Sequence, residues 1–253
     1  MRSRWSPPRP DVVLRLVVRT VSEVCLTAGT LIVLFVAYVL LWTGVKADRA
    51  AQAERDRLHD RWAASAPAAA PAPAPGSAPD SAPDAAAGSA GPPAGQEPAP
   101  YPPGRAFAEL YVPRFGKDWS RPVLEGTDPE PLKKGLGHYT GSARPGGDGN
   151  FAVAGHRRTY GDPFKDVPQL RPGDTVTVRD ATGWYTYTVR AAPLRILPTE
   201  TGVVAPVPRR SPFATPGKYL TLTTCEPEWG HSHRLVVWAE LTGTRAAGPA
   251  GKG

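Results

Sequence analysis

Between Glu23 and Lys46 lies the run VCLTAGTLIVLFVAYVLLWTGV, residues 24–45, which carries no charge. As a helix it is ~33 Å long, enough to cross the hydrocarbon core of a bilayer. A helix apolar on every side has no polar face to offer water. Tyr38 and Trp42 sit near its far end, where amphipathic rings favour the membrane interface. Arg2, Arg4, Arg9, Arg15 and Arg19 precede the run, and the charges after it are mixed. That bias puts residues 1–23 in the cytoplasm as a basic segment and the bulk of the chain outside, on a single-pass membrane protein. The competing reading is a cleaved signal peptide ending at Val45-Lys46-Ala47. The apolar run is longer than a signal's hydrophobic core, which favours an uncleaved anchor.

Residues 46–103 read as a juxtamembrane segment followed by a linker. From 47 to 64 the chain is charged and Ala-rich, with Leu58 and Trp62 four apart, and can continue the membrane helix for a few turns. Ala, Pro, Gly and Ser then dominate to residue 103. Aliphatic and aromatic side chains are nearly absent there, so the tract cannot bury a core and reads as disordered. About 40 residues of this composition reach ~120 Å when extended and ~40 Å as a coil. On that basis the outer domain is held off the membrane on a tether. Residues 104–243 remain for one folded domain, with 244–253 as a flexible tail.

The net charge of +7 owes much to the five N-terminal arginines, and no basic stripe interleaved with aromatics follows. Nucleic acid is therefore not an expected partner. The two cysteines, Cys25 in the apolar run and Cys225 in the folded domain, are too differently placed for a disulfide framework.

The folded domain reads as β-rich. Strands are expected at 106–112, 122–127, 150–154, 174–179, 184–196, 218–224 and 234–241. TVTV and YTYTV show the period-2 alternation of half-buried strands. Gly-rich pieces such as SARPGGDG separate them. Short helical turns are expected near 131–134 and 163–170. Many short strands at this spacing suggest a small closed barrel.

Three residues at strand ends can meet. Along 219–225, Thr221, Thr223 and Cys225 share one face. If the strands bearing Cys225 and Arg234 pair as antiparallel neighbours, these two residues come to one sheet end. His156 follows directly on the strand 151–155. A cysteine near pKa ~8.5 is mostly thiol at neutral pH, and a neighbouring cation favours the thiolate. Arg234 can stabilise an oxyanion and His156 can protonate a leaving amine. Each residue also has an ordinary reading: a packed cysteine, a structural histidine and a solvated arginine. Spacing alone leaves both open. His138 is a rival base. His231 and His233 in the HSH run lack a third ligand, so no metal or cofactor is expected.

The run TLTTC, with Arg234 nine residues on and GHR upstream, resembles the TLxTC signature and His–Cys–Arg order of sortases. The resemblance extends from about residue 113 to 241. GLGHYTGSARPGGDGNFAVAGHR and LTTCEP are similar to class E members from actinobacteria. It implies an all-β, eight-stranded sortase-type barrel with short helices, behind one transmembrane helix and a disordered linker. It implies a cysteine transpeptidase that cleaves a C-terminal sorting signal between Thr and Gly. Cys225 would form a thioacyl intermediate, His156 would act as acid and base, and Arg234 would hold the oxyanion or substrate. The partners would be signal-bearing surface proteins and a peptidoglycan-precursor amine. In class E, a Tyr in the GHY segment accompanies preference for LAxTG over LPxTG, and Tyr139 matches it. Thr224 is expected beside the substrate. Some sortases bind calcium through acidic residues, and no such set is identified. Two other readings are an L,D-transpeptidase-like wall enzyme and a non-catalytic membrane-tethered barrel. The former places its Cys in a Ser/Gly-rich motif soon after a His, unlike Cys225.

Overall fold

A computed structural model describes residues 10–65 and 99–247. The expectations for residues 1–9, most of the Pro/Ala tract and the end of the tail therefore fall on residues outside that set. Helix α1 runs Pro10–Ser65 without interruption. Its stretch Val13–Tyr38 is long and apolar enough to cross a membrane, and it is exposed. No Gly or Pro interrupts residues 45–66, so nothing stops the helix beyond the charge-free run. Pro67 disfavours helical geometry at the residue before it, which agrees with the end at Ser65.

The last third of α1 does not stand away from the folded domain. Ala47, Ala51, Glu54 and Leu58 are all buried. They recur at the spacing of one helix face. Leu58 packs with Ala106 and Leu124, flanked by Trp62. Arg61 Nη2 donates to the Ala106 carbonyl at 2.6 Å, and Asp48 Oδ1 lies 2.9 Å from Arg121 Nη2. Glu109, 2 % exposed, accepts hydrogen bonds at Oε2 involving His59 (2.8 Å) and the Tyr111 hydroxyl (2.7 Å). This changes the expectation of a domain held off on a tether. The stripe Ala47, Ala51, Glu54 and Leu58 is buried against the outer face of the barrel. Both ends of the Pro/Ala tract then belong to one body.

The domain contains β1 (Ala106–Tyr111), β2 (Ser120–Glu125), β3 (Leu136–His138), β4 (Gly149–Ala154), β5 (Thr175–Arg179), β6 (Gly183–Val189), β7 (Leu194–Ile196), β8 (Lys218–Glu226) and β9 (His233–Ala246). The sheet order is β6-β5-β1-β2-β3-β4-β8-β9-β7, and β6 also pairs with β9. That pairing closes eight strands into a barrel and leaves β7 as a flap on the first residues of β9. Helix α2 (Pro129–Leu132) and a 3-10 turn at Val167–Gln169 account for the expected helical pieces.

Strand alternation sorts the side chains. Leu220 and Leu222 of β8 point inward with Phe151, Val153, Val237 and Ala239, all within the main core. Each buried Leu, Val or Phe among them contributes roughly 1.5–3 kcal/mol. Val236 and Trp238 face outward and form a second small cluster with Ile196 and Val203. The expected strand 184–196 splits into β6 and β7, because the chain leaves β6 at Arg190 and Pro193 withholds a ladder donor. β3 escapes sequence patterning because LGH has no alternation to read. Its glycine serves close approach: a Cβ on Gly137 would lie 2.5 Å from the Gly126 carbonyl.

Candidate active site

The barrel ends follow from the registers. β8 rises parallel to β4 and antiparallel to β9, and β2 descends parallel to β3. Cys225, Arg234, the end of β4 and the start of β2 therefore share one rim, and the β5–β6 turn lies at the other.

At that rim Cys225 is paired directly with Arg234. Opposed residues share a face, with Cβ atoms ~4.5–5.5 Å apart. On the other side of β8 the register pairs Ala154 with Thr223. The chain keeps this alignment beyond the end of β4. Gly155 N donates to the Thr223 carbonyl at 3.0 Å, and the Thr224 hydroxyl donates to the Gly155 carbonyl at 2.8 Å. Continuing by two residues sets His156 level with Cys225. The three residues thus follow one another across neighbouring strands, at ~4.8 Å per strand. They lie on the outer face of the barrel with Thr221 and Thr223, and Cys225 is only half-buried.

Arg234 is held by its own loop. Nη1 donates to the carbonyls of His231 and His233, both at 3.0 Å. Its Nε and Nη2 make no hydrogen bond among the described residues, so part of the guanidinium remains available. The His156 ring makes no hydrogen bond there either, and it packs 5.0 Å from the Tyr160 ring. Burial without a compensating partner pushes His156 below the usual histidine range, which favours the neutral imidazole near pH 7.

The two rim segments are strapped together by the residues that follow His156 and Cys225. Arg157 Nη1 lies 2.7 Å from Glu226 Oε2 and 3.5 Å from the Cys225 carbonyl. Arg158 pairs with Glu228 at 3.0 Å and lies 4.5 Å over the Trp229 ring. Sequence reasoning passed over this clamp. Its signal was present in the opposite charges directly after each candidate, in HR and CE.

The other candidates separate clearly. Tyr139 lies on the outer face, its hydroxyl 2.9 Å from Thr223 Oγ1, one outward position below Cys225. Thr224 does not share that face. It is 3 % exposed and its side chain turns to the seam beside Gly155. Strand parity accounts for this: the residue directly before an outward Cys points inward. His138 is also buried in the barrel, with Nδ1 2.6 Å from Glu125 Oε2 and Nε2 2.8 Å from the Ser142 hydroxyl. It stacks on Phe151 and cannot serve the outer face. His231 is exposed, and His233 Nδ1 meets Arg195 and Ser232. Among the described residues no group of three or more His, Cys, Asp or Glu is placed to hold a metal ion.

A thiol between an imidazole and a guanidinium can carry out acyl transfer: attack at a carbonyl, anion stabilisation and proton delivery to a leaving amine.

Comparison with known proteins gives a consistent result. The family described as Sortase domain matches residues 110–242. Sortase SrtE1 of Streptomyces coelicolor is 32% identical over 242 residues, spanning 93% of this chain, and the match covers 59% of that protein's own length. Sortase SrtE2 of the same organism is 31% identical over 243 residues, covering 93% of this chain and 86% of that protein. The solved structure of sortase E from Streptomyces avermitilis superposes with a TM-score of 0.55 at 57% identity, over 58% of this chain and 93% of that one.

Proposed function

Because this chain belongs to the sortase family, in its class E group, we propose that it joins signal-bearing proteins to an amine through Cys225, as a membrane-anchored transpeptidase. The observation that carries the assignment is the register, which flanks Cys225 with Arg234 on one side and His156 on the other.

In this reading Cys225 gives its thiol proton to His156 and its sulfur attacks the Thr carbonyl carbon at the Thr–Gly bond of the sorting signal. The carbonyl π electrons move to oxygen, and Arg234 stabilises that anion with the N–H groups its loop leaves free. The C–N bond breaks as His156 gives a proton to the departing Gly nitrogen. A thioester on Cys225 remains. An amine, expected on a peptidoglycan precursor, then attacks the thioester and loses a proton to His156. The new amide forms and the thiolate leaves. Tyr139 and Thr223 line the outer strip below Cys225 and would meet the signal's residues upstream of Thr. Tyr139 supports a preference for LAxTG.

Residues 24–45 would be the membrane span, with the barrel outside the cell, as their freedom from charge, their overlap with the exposed apolar stretch Val13–Tyr38 and the N-terminal arginines support. The decisive measurement is mass spectrometry of products from an LAxTG peptide and several amines. With Cys225→Ala both the acyl-enzyme and the amine adduct should vanish while circular dichroism stays unchanged. Full transfer by this variant would sink the assignment of the nucleophile.

A further inference from the structure

The docked part of α1 fixes which end of the barrel meets the bilayer. Its first turn beyond the charge-free run touches the catalytic rim. Asp48 Oδ1 lies 2.9 Å from Arg121 Nη2, and the same nitrogen donates to the Gly161 carbonyl at 3.3 Å. Gly161 follows His156 in the same loop and abuts the helix so closely that a Cβ there would come 2.8 Å from Asp48 Oδ1. Farther from the membrane, Arg55 meets Ser120, His59 meets Glu109 and Arg61 meets Ala106. The helix therefore descends β1 from the catalytic rim toward the opposite end. From residue 45 to residue 48 the rise is only ~4.5 Å, within a headgroup layer ~5–8 Å deep on each side of the hydrocarbon core.

A second observation is independent of the helix. Among the described residues beyond α1, three large hydrophobic side chains are exposed: Tyr160 (38 %), Leu197 (51 %) and Trp229 (67 %). All three lie at the catalytic rim. Tyr160 is in the His156 loop, and Trp229 is between Cys225 and Arg234. Leu197 follows Ile196, which pairs with Arg234. Arg158 is stacked on Trp229. Aromatic rings with an adjacent cation are the side chains that favour a lipid interface.

We propose that the rim bearing Cys225 faces the bilayer that holds the chain's own span, with Trp229, Tyr160 and Leu197 seated at the headgroup layer. This rests on the anchoring reading above. The barrel is then no free head on a tether but a body clamped with its reactive thiol at the lipid surface. A membrane-attached peptide would reach Cys225 from the lipid side.

The test uses the full chain in nanodiscs of phosphatidylglycerol and phosphatidylethanolamine, with a photo-crosslinking amino acid in place of Leu34, Trp229 or Ala181 in turn. Ala181 is exposed in the β5–β6 turn at the far end. Lipid adducts are expected at 34 and 229 and not at 181. Adducts at 34 but none at 229, or equal adducts at 229 and 181, would overturn the orientation while leaving the anchor intact. No adduct at 34 would remove the anchor and the proposal together. In the background Ala51→Arg, which drives a charge into the docked face, the adduct at 229 should be lost and that at 34 retained, with the barrel's circular dichroism unchanged. If the adduct at 229 survives undocking, the docked helix does not set the orientation and the proposal fails.

Discussion

His138 ends β3 and His156 follows its antiparallel neighbour β4, and the barrel wall separates their side chains. His138 points inward, with both ring nitrogens engaged and its ring stacked on Phe151 at 5.2 Å. His156 points outward, contacts Tyr160 and makes no side-chain hydrogen bond among the described residues. A buried ring whose nitrogens are both committed to partners is fixed in orientation and cannot exchange a proton with a substrate on the outer face. A ring with free nitrogens beside a thiol can. Both histidines lie in short motifs at strand ends, and strand parity alone turns them to opposite faces of the barrel wall.

The largest effect that would break this contrast is on turnover. His156→Gln should lower kcat/KM for signal-peptide transfer by about 10²–10⁴, the usual contribution of a positioned acid or base. Its stability should change by less than about 1 kcal/mol, because the side chain has few partners to lose. Steady-state kinetics and urea unfolding measure the two. If His156→Gln remains active and His138→Gln does not, the assignment is reversed.

His138→Ala should show the converse. Removing it leaves Glu125 buried without its partner, and a loss of about 3 kcal/mol is expected for a broken buried pair. The fraction that stays folded should turn over at nearly the wild-type rate. Urea denaturation followed by active-site titration with a thiol-reactive inhibitor separates the two quantities.

Thr224→Val sharpens the contrast at smaller scale. The change removes the hydroxyl that donates to the Gly155 carbonyl at 2.8 Å, at a cost of about 1 kcal/mol. Because Thr224 faces the seam, KM for the peptide should not move. A several-fold rise in KM with unchanged stability would return Thr224 to the substrate.

What was legible in the sequence follows the same division. The alternation around TVTV, YTYTV and LTLTTC placed strands and assigned Cys225 and Arg234 to one end of a barrel. Period-2 patterning encodes which face a side chain takes. The same alternation sets Thr224 with Leu220 and Leu222 on the face opposite Cys225, where it is buried. Pairing partners were less legible. No local signal announces that LGH is a strand, or that residues 184–196 change partners midway, since both depend on distant segments. The docked helix was half visible: Leu58 and Trp62 marked a helical face, but no local signal announces that Ala47, Ala51 and Glu54 are buried along it.

The smallest expected effect is the dependence of stability on pH, which reports on His156 without any substrate. Burial holds its pKa below the ordinary value of 6.5, toward which it returns on unfolding. As pH falls through that value, the unfolded chain takes up a proton that the folded chain refuses. Stability is therefore lost on acidification, beginning near the unfolded pKa and levelling off only below the folded one. His156→Gln removes the titrating group, so its stability should decline less than wild type over the same interval. The difference between the two urea midpoints, followed from pH 7.5 downward, isolates this contribution from the carboxylates that titrate lower. If the two proteins track each other throughout, the His156 ring is as well solvated when folded as when unfolded. The contrast with His138 would then rest on hydrogen bonding alone. A wild-type curve that rises on acidification relative to the variant would mean that a carboxylate or the Cys225 thiolate holds the imidazolium in the folded state.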